Sequence, residues 1–167
     1  MVTGSIASSM QGEPRSTHDI DLVVQIPPQA IGHLLAAFPA PDFLLQEQSV
    51  RDALRNRSMF NLLSLADGEK VDFWILTGEP FDQARFGRRR TIRAGNIDLK
   101  VSAPEDTILA KLRWAKLSGG SEKQLRDALR VYEVQGATLD HEHLDRWARQ
   151  LDVEDSWHKL LATARVV

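Results

Sequence analysis

Gly4-Ser5, nine further residues, and then Arg15-Ser16-Thr17-His18-Asp19-Ile20-Asp21-Leu22-Val23-Val24 form the stretch whose reading decides the fold. Two carboxylates alternate with apolar residues and run into a β-branched segment. Residues two apart in a strand point to the same face. Asp19 and Asp21 therefore project together, and Ile20, Leu22 and Val24 pack on the other side. Like charges so close repel unless a cation holds them. Mg2+ (or Mn2+) suits the task, because it takes hard oxygen ligands from one or two carboxylates plus substrate phosphates. Gly4 and Ser5 supply a small-residue turn whose N–H groups and hydroxyl could cradle phosphate.

Working outward, the chain has 167 residues, 43% of them hydrophobic, and a formal net charge of −2. That fits one domain, or a small domain with a helical appendage. The charge gives no global attraction to nucleic acid or membrane, so any phosphate binding must be local. No cysteine is present, which removes disulfides and thiolate metal sites and fits a cytoplasmic protein. No apolar run has the length of a membrane span, so no membrane role is expected. Only Met1, Val2 and Thr3 precede the Gly-Ser turn. The reading is of a core with a late start, which would leave that turn poorly anchored.

Residues 19–26 read as a strand ended by Pro27-Pro28, followed by a helix through Ile31, Leu34, Leu35 and Phe38. Residues 43–46 form a short strand, and Ser49 caps a helix running to Asn56. Asp67-Gly68 separates two apolar runs, 59–65 and 70–76, as a hairpin. Gly95-Asn96 marks a second hairpin between 88–93 and 97–101. From Ser102 the period changes to helical, opened by Ser102-Ala103-Pro104-Glu105 as a capping box. Stripes through Ile108, Leu125, Leu144 and Trp157 give four helices. The expectation is an α/β (α+β) core over residues 1–101, a mixed sheet flanked by helices, with a C-terminal helical bundle over 102–167.

Asp72 sits in Lys70-Val71-Asp72-Phe73-Trp74-Ile75, on the face opposite Val71, Phe73 and Ile75. A carboxylate in an apolar strand is costly unless solvated or paired. If this strand neighbours the first, Asp72 joins Asp19 and Asp21 in a three-carboxylate metal cluster. The alternative is a solvent-facing aspartate. Arg15 and Thr17 either contact phosphate or hold the loop, and Arg15 reads equally well as a surface residue. Arg85, Arg88, Arg89, Arg90 and Arg93 form the densest basic cluster, read as a solvated edge more than a nucleic-acid contact. His141-Glu142-His143 lacks the i, i+4 spacing of a helical zinc site and reads as surface. Trp114, Trp147 and Trp157 fit helical core or partner surfaces.

The Gly4-Ser5 turn joined to Asp19-Ile20-Asp21 resembles the nucleotidyltransferase superfamily. Arg15-Ser16-Thr17-His18-Asp19-Ile20-Asp21 is most similar to the branch containing the AbiEii-type toxin proteins. The resemblance implies a nucleotidyltransferase-like mixed sheet and transfer of NMP from an NTP to a hydroxyl on RNA or protein. It implies Asp19 and Asp21 as metal ligands, Asp72 activating the acceptor, and Gly4 and Ser5 at the terminal phosphates. It also implies Lys111, in Glu105-Asp106-Thr107-Ile108-Leu109-Ala110-Lys111, and Asp127, in Arg126-Asp127, as functional residues. Arg130 stands where that branch has a second acidic residue. The context implied is a toxin–antitoxin or phage-defence system, with a partner protein from a neighbouring gene. The rival is a catalytically inactive binding module or antitoxin subunit on the same fold.

Overall fold

The computed structural model describes residues 1–17 and 19–165. The strand expected at 19–26 is β1, Asp19–Val24, and it stops early because Pro28 opens a 3-10 turn at Pro28–Ala30. Then follow α2 (Ile31–Ala37), β2 (Phe43–Leu44), α3 (Glu47–Asn56), β3 (Met59–Ser64) and β4 (Lys70–Ile75). Helix α1, Gly4–Gln11, precedes them all. Next come α4 (Pro80–Gly87), β5 (Arg90–Ala94) and β6 (Ile97–Val101). The chain ends in α5 (Pro104–Leu117), α6 (Glu122–Gln135), α7 (His141–Gln150) and α8 (Glu154–Thr163). The last two positions of the expected 102–167 region lie outside the described residues. Among the described residues no helix is long and apolar enough to cross a membrane.

The main sheet has the order β1-β4-β3-β2, with β1 parallel to β4 and the other neighbours antiparallel. Both hairpins form where glycine is required: Gly68 has φ +74° and Gly95 φ +60°, which side-chain-bearing residues rarely adopt. Alternation sorts the sheet into two faces. Val24, Phe60, Phe73 and Ile75 face α2 and α3 and pack with Ile31, Val50 and Ala53. Phe60 and Phe73 stack with ring centroids 4.9 Å apart. The opposite face carries Asp19, Asp21, Lys70, Asp72 and Trp74.

Residues 1–3 act as a strand and join the two sheets. Val2 bridges Leu22 of β1 and Val101 of β6. The Val2 N–H donates to Lys100 O, the Ser102 N–H to Val2 O, the Thr3 N–H to Asp21 O, and the Val23 N–H to Met1 O. The expectation of a poorly anchored N-terminus is therefore corrected. Met1 and Thr3 bond to β1 and Val2 bonds to the β6 side, so the segment is held from both sides. Val2, Ala7 and Val101 then form a small core beneath α1.

The helical half surrounds Ile108, Leu112, Val131, Leu144 and Trp157, with Phe81 of α4 added to it. Two expected caps are absent. Gln46, not Ser49, precedes α3, and the Ser49 hydroxyl only reaches Gln46 Oε1. Ala103 is the residue before α5, with no side-chain cap, so the capping box at Ser102 does not form. Glu105 and Asp106, both fully buried, turn instead to Arg88, Arg90 and His143. His143 is thereby corrected from surface to core: it lies 2.7 Å from Asp106 Oδ1. A buried carboxylate needs such partners, and the sequence spacing around His143 does not reveal one 37 residues away.

Candidate functional site

Gly4 is the first residue of α1, so the expected phosphate turn is a helix start rather than a free loop. Its φ is +63°. A Cβ placed there would lie 2.7 Å from Asp21 Cγ and 2.8 Å from Asp21 Cβ, and closer still to Oδ2. The backbone of α1 thus presses directly on the Asp21 carboxylate. The first N–H groups of a helix have no partners within it and carry partial positive charge. Asp21 Oδ1 accepts a hydrogen bond from Trp74 Nε1 at 3.2 Å.

Asp72 lies beside Asp21 in the parallel register, which pairs Asp19 with Lys70 and Asp21 with Asp72. All three carboxylates therefore share one face. They do not converge on one point. Asn61, opposite Asp72 on β3, donates to Asp72 Oδ1, and Lys70 Nζ sits 3.1 Å from Oδ2. The same ammonium is 3.8 Å from Asp19 Oδ1. The hydrogen bond to Asp72, with the charges of Asp72, Asp19 and Asp21, raises the Lys70 pKa, so the ammonium stays protonated. Among the described residues no group of three or more Asp, Glu, His or Cys side chains is gathered to hold a metal ion. Asp19, 64% exposed, and Asp21 Oδ2, with no described hydrogen-bond partner, are the hard oxygen donors left on this face. These are the oxygens of this face that could hold a divalent ion.

On the other side of α1, Asp127 is a hub. Arg15 grips it with Nε at 3.2 Å from Oδ1 and Nη2 at 2.9 Å from Oδ2. Lys111 Nζ donates to Oδ2 at 2.7 Å. Arg15 also donates to the Ser5 hydroxyl at 3.0 Å, tying the helix start to the hub. Burial raises the Asp127 pKa, but the bonds from Arg15 and Lys111 outweigh it and hold the carboxyl below its usual range. Lys111 is only 4% exposed. Burial lowers its pKa; the Asp127 contact opposes this, and Arg15 adds repulsion. Two cations share one carboxylate, so the hub carries net positive charge.

A cavity of about 460 Å3 opens between the start of α1, β4 and α5. Gly4, Ser5, Asp21, Trp74, Lys111 and Trp114 line it, together with Arg57, Asp82, Arg85 and Arg113. Its size falls within the range of small-molecule sites. Trp114 is 49% exposed, and its ring meets Trp74 edge-on at 5.8 Å. Sequence reasoning placed Trp114 in a core or partner surface; it lines the cavity. Arg57, Asp82, Trp74 and Arg113 were missed, because neither motif nor periodicity distinguishes them before the chain is folded. Asp82 accepts from the Thr77 hydroxyl at 2.5 Å and pairs with Arg85 at 3.0 Å.

Not every candidate joins the cavity. Asp19 and Asp72 stand outside its lining, further along the acidic face. Asp127 faces a smaller cavity of about 130 Å3 with Arg15, Arg126 and Arg130. The Thr17 hydroxyl donates to Asp19 O at 3.4 Å and shapes the loop instead. The basic cluster is divided. Arg85 lines the cavity, Arg88 and Arg90 pair with buried carboxylates, Arg89 covers Phe86, and Arg93 pairs with Asp98.

No protein-family model matches the chain, and no curated protein matches it in sequence. Its fold is similar to that in a crystal structure of an antigenic nucleotidyltransferase-like protein from Paracoccidioides brasiliensis. The TM-score is 0.52 at 16% identity, and the alignment covers 99% of this chain and 85% of that one. The mixed sheet with flanking helices is thus nucleotidyltransferase-like in fold.

Proposed function

We propose that the chain transfers a nucleoside monophosphate from an NTP to an acceptor hydroxyl, with release of pyrophosphate. One observation carries the reading: the start of α1, Asp21 and Lys111 line a single cavity. A triphosphate needs positive charge and N–H donors, and the α1 start and Lys111 offer both. Arg15 holds Ser5 in place for the terminal phosphates. Trp114 offers a half-exposed indole face on which a base can stack. Asp19 and Asp21 would hold Mg2+ or Mn2+, which when bound offsets the charge between carboxylates and phosphates. The resemblance gives Asp72 the acceptor's proton, but with both oxygens engaged and a place outside the cavity it is assigned no proton transfer here. Residues 1–101 would form the transferase core and 102–167 the opposing wall.

The resemblance to AbiEii-type proteins directs the search for the acceptor to RNA or protein, in a toxin–antitoxin or phage-defence setting. The test is incubation with each labelled NTP, Mg2+ or Mn2+, and total cell RNA and protein. Label should move to one acceptor class, and Asp21→Asn should abolish it. Label that stays wholly in NTP under every combination refutes the proposal. A second reading, a non-catalytic binding module, is favoured by one feature: both oxygens of Asp72 are already engaged. Nucleotide binding without transfer would support it.

A further inference from the structure

We propose that the Lys70 ammonium is a resident cation of the acidic face, which keeps Asp72 out of metal binding and leaves a site for one divalent ion at Asp19 and Asp21. The inference rests on the metal-dependent reading above, and its test uses no nucleotide.

Backbone register puts the lysine there. Lys70 pairs with Asp19 across β1 and β4, and stands two residues before Asp72 on its own strand. Its side chain therefore rises from the same face as all three carboxylates. Nζ lies 3.1 Å from Asp72 Oδ2 and 3.8 Å from Asp19 Oδ1, between the two. Asn61 takes the other Asp72 oxygen. With one contact on each oxygen, an ion at Asp72 would have to compete with the Lys70 ammonium and the Asn61 amide. Three carboxylates and one ammonium leave a formal charge of minus two, which one divalent ion balances. A second ion beside Asp72 would meet the Lys70 ammonium at close range, where like charges repel. Asp72 is on this view a positioning residue, which fixes the ammonium beside the ion's ligands.

The experiment is a Mn2+ titration of the full chain, with free Mn2+ followed by electron paramagnetic resonance. Wild type should bind one Mn2+. Asp72→Asn should keep that binding within about twofold, and Asp21→Asn should lose it. Lys70→Met keeps the aliphatic stem and removes the charge. It should gain a further Mn2+ or bind at least about tenfold tighter, and Lys70→Met/Asp72→Asn should lose the gain. Lys70→Arg should behave as the parent. Thermal melts confirm that each variant is folded, as expected for a lysine side chain that is 41% exposed. Loss of Mn2+ binding in a folded Asp72→Asn protein makes Asp72 a ligand and overturns the inference. So does a Lys70→Met protein with parental stoichiometry and affinity. Neither result depends on whether any NTP is a substrate.

Discussion

Gly4 and Asp21 touch so closely that position 4 admits no side chain: an added Cβ would sit 2.8 Å from Asp21 Cβ. The packing of the α1 start on β1 is built around this contact. Gly4→Ala should destabilise the protein by about 1–3 kcal/mol, through overpacking and through its left-handed φ. Asp21→Ala in the same chain should recover part of the loss. Urea unfolding of the two single variants and the double variant measures it, and purely additive losses would show that the contact is relaxed.

Removing Asp127 leaves Arg15 and Lys111 facing each other in a buried place. Asp127→Ala should cost about 3–5 kcal/mol, as expected for a broken buried ion pair. Lys111→Met should cost less, because Arg15 still satisfies the carboxylate in two places. The ordering of these two losses in urea unfolding is the check. Equal losses would mean that Arg15 does not hold the hub alone.

Acid should remove the Asp127 contribution. Its carboxyl is held below the ordinary 3.8 in the fold, so the unfolded chain takes up the proton first as pH falls. The stability it gives is complete above 3.8 and fades as pH drops through the lower folded value. The stability gap between the parent and Asp127→Asn should be flat through neutral pH and should close in that acid window. A gap that closes near neutrality would point to another group.

Trp114 gives a prediction about binding rather than stability. If a base stacks on its exposed face, Trp114→Ala should weaken affinity for an unhydrolysable NTP by about 1–3 kcal/mol. Trp114→Phe should weaken it much less. Calorimetric titration decides, and parental affinity in the alanine variant would move the base elsewhere in the cavity.

The elements legible in the sequence were those with local signals. Asp67-Gly68 and Gly95-Asn96 announced their hairpins because a tight turn restricts which residues can occupy it. The alternation at 19–24 and the helical stripes after Ser102 placed the main elements, since burial periodicity is a short-range property. The register of Asp21 with Asp72 followed once β4 joined β1. What escaped was set by tertiary contacts. His143 gives no sign of Asp106, nor Lys70 of its position between two carboxylates. The helix beginning at Gly4 was read as a turn, because glycine and serine are poor helix formers and only packing against β1, α5 and α6 makes the segment helical.

Residues 1–3 tie β1 to β6, and α1 rises directly from them to meet Asp127 through Ser8, with Arg15 of the loop that follows. The partners in those contacts are separated by 112 and 119 residues. Closing loops of that length costs entropy before any contact repays it, which makes distant pairings slow to form. The two hairpins and the α5–α6 pair can each assemble from neighbouring sequence. The cavity cannot, because its walls come from segments as far apart as Thr3 and Gln124. Hydrogen exchange should therefore find α1 and the edge at residues 1–3 opening before the hairpins and the α5–α6 pair do. A molecule that has lost only that edge would keep most of its secondary structure and have no binding site.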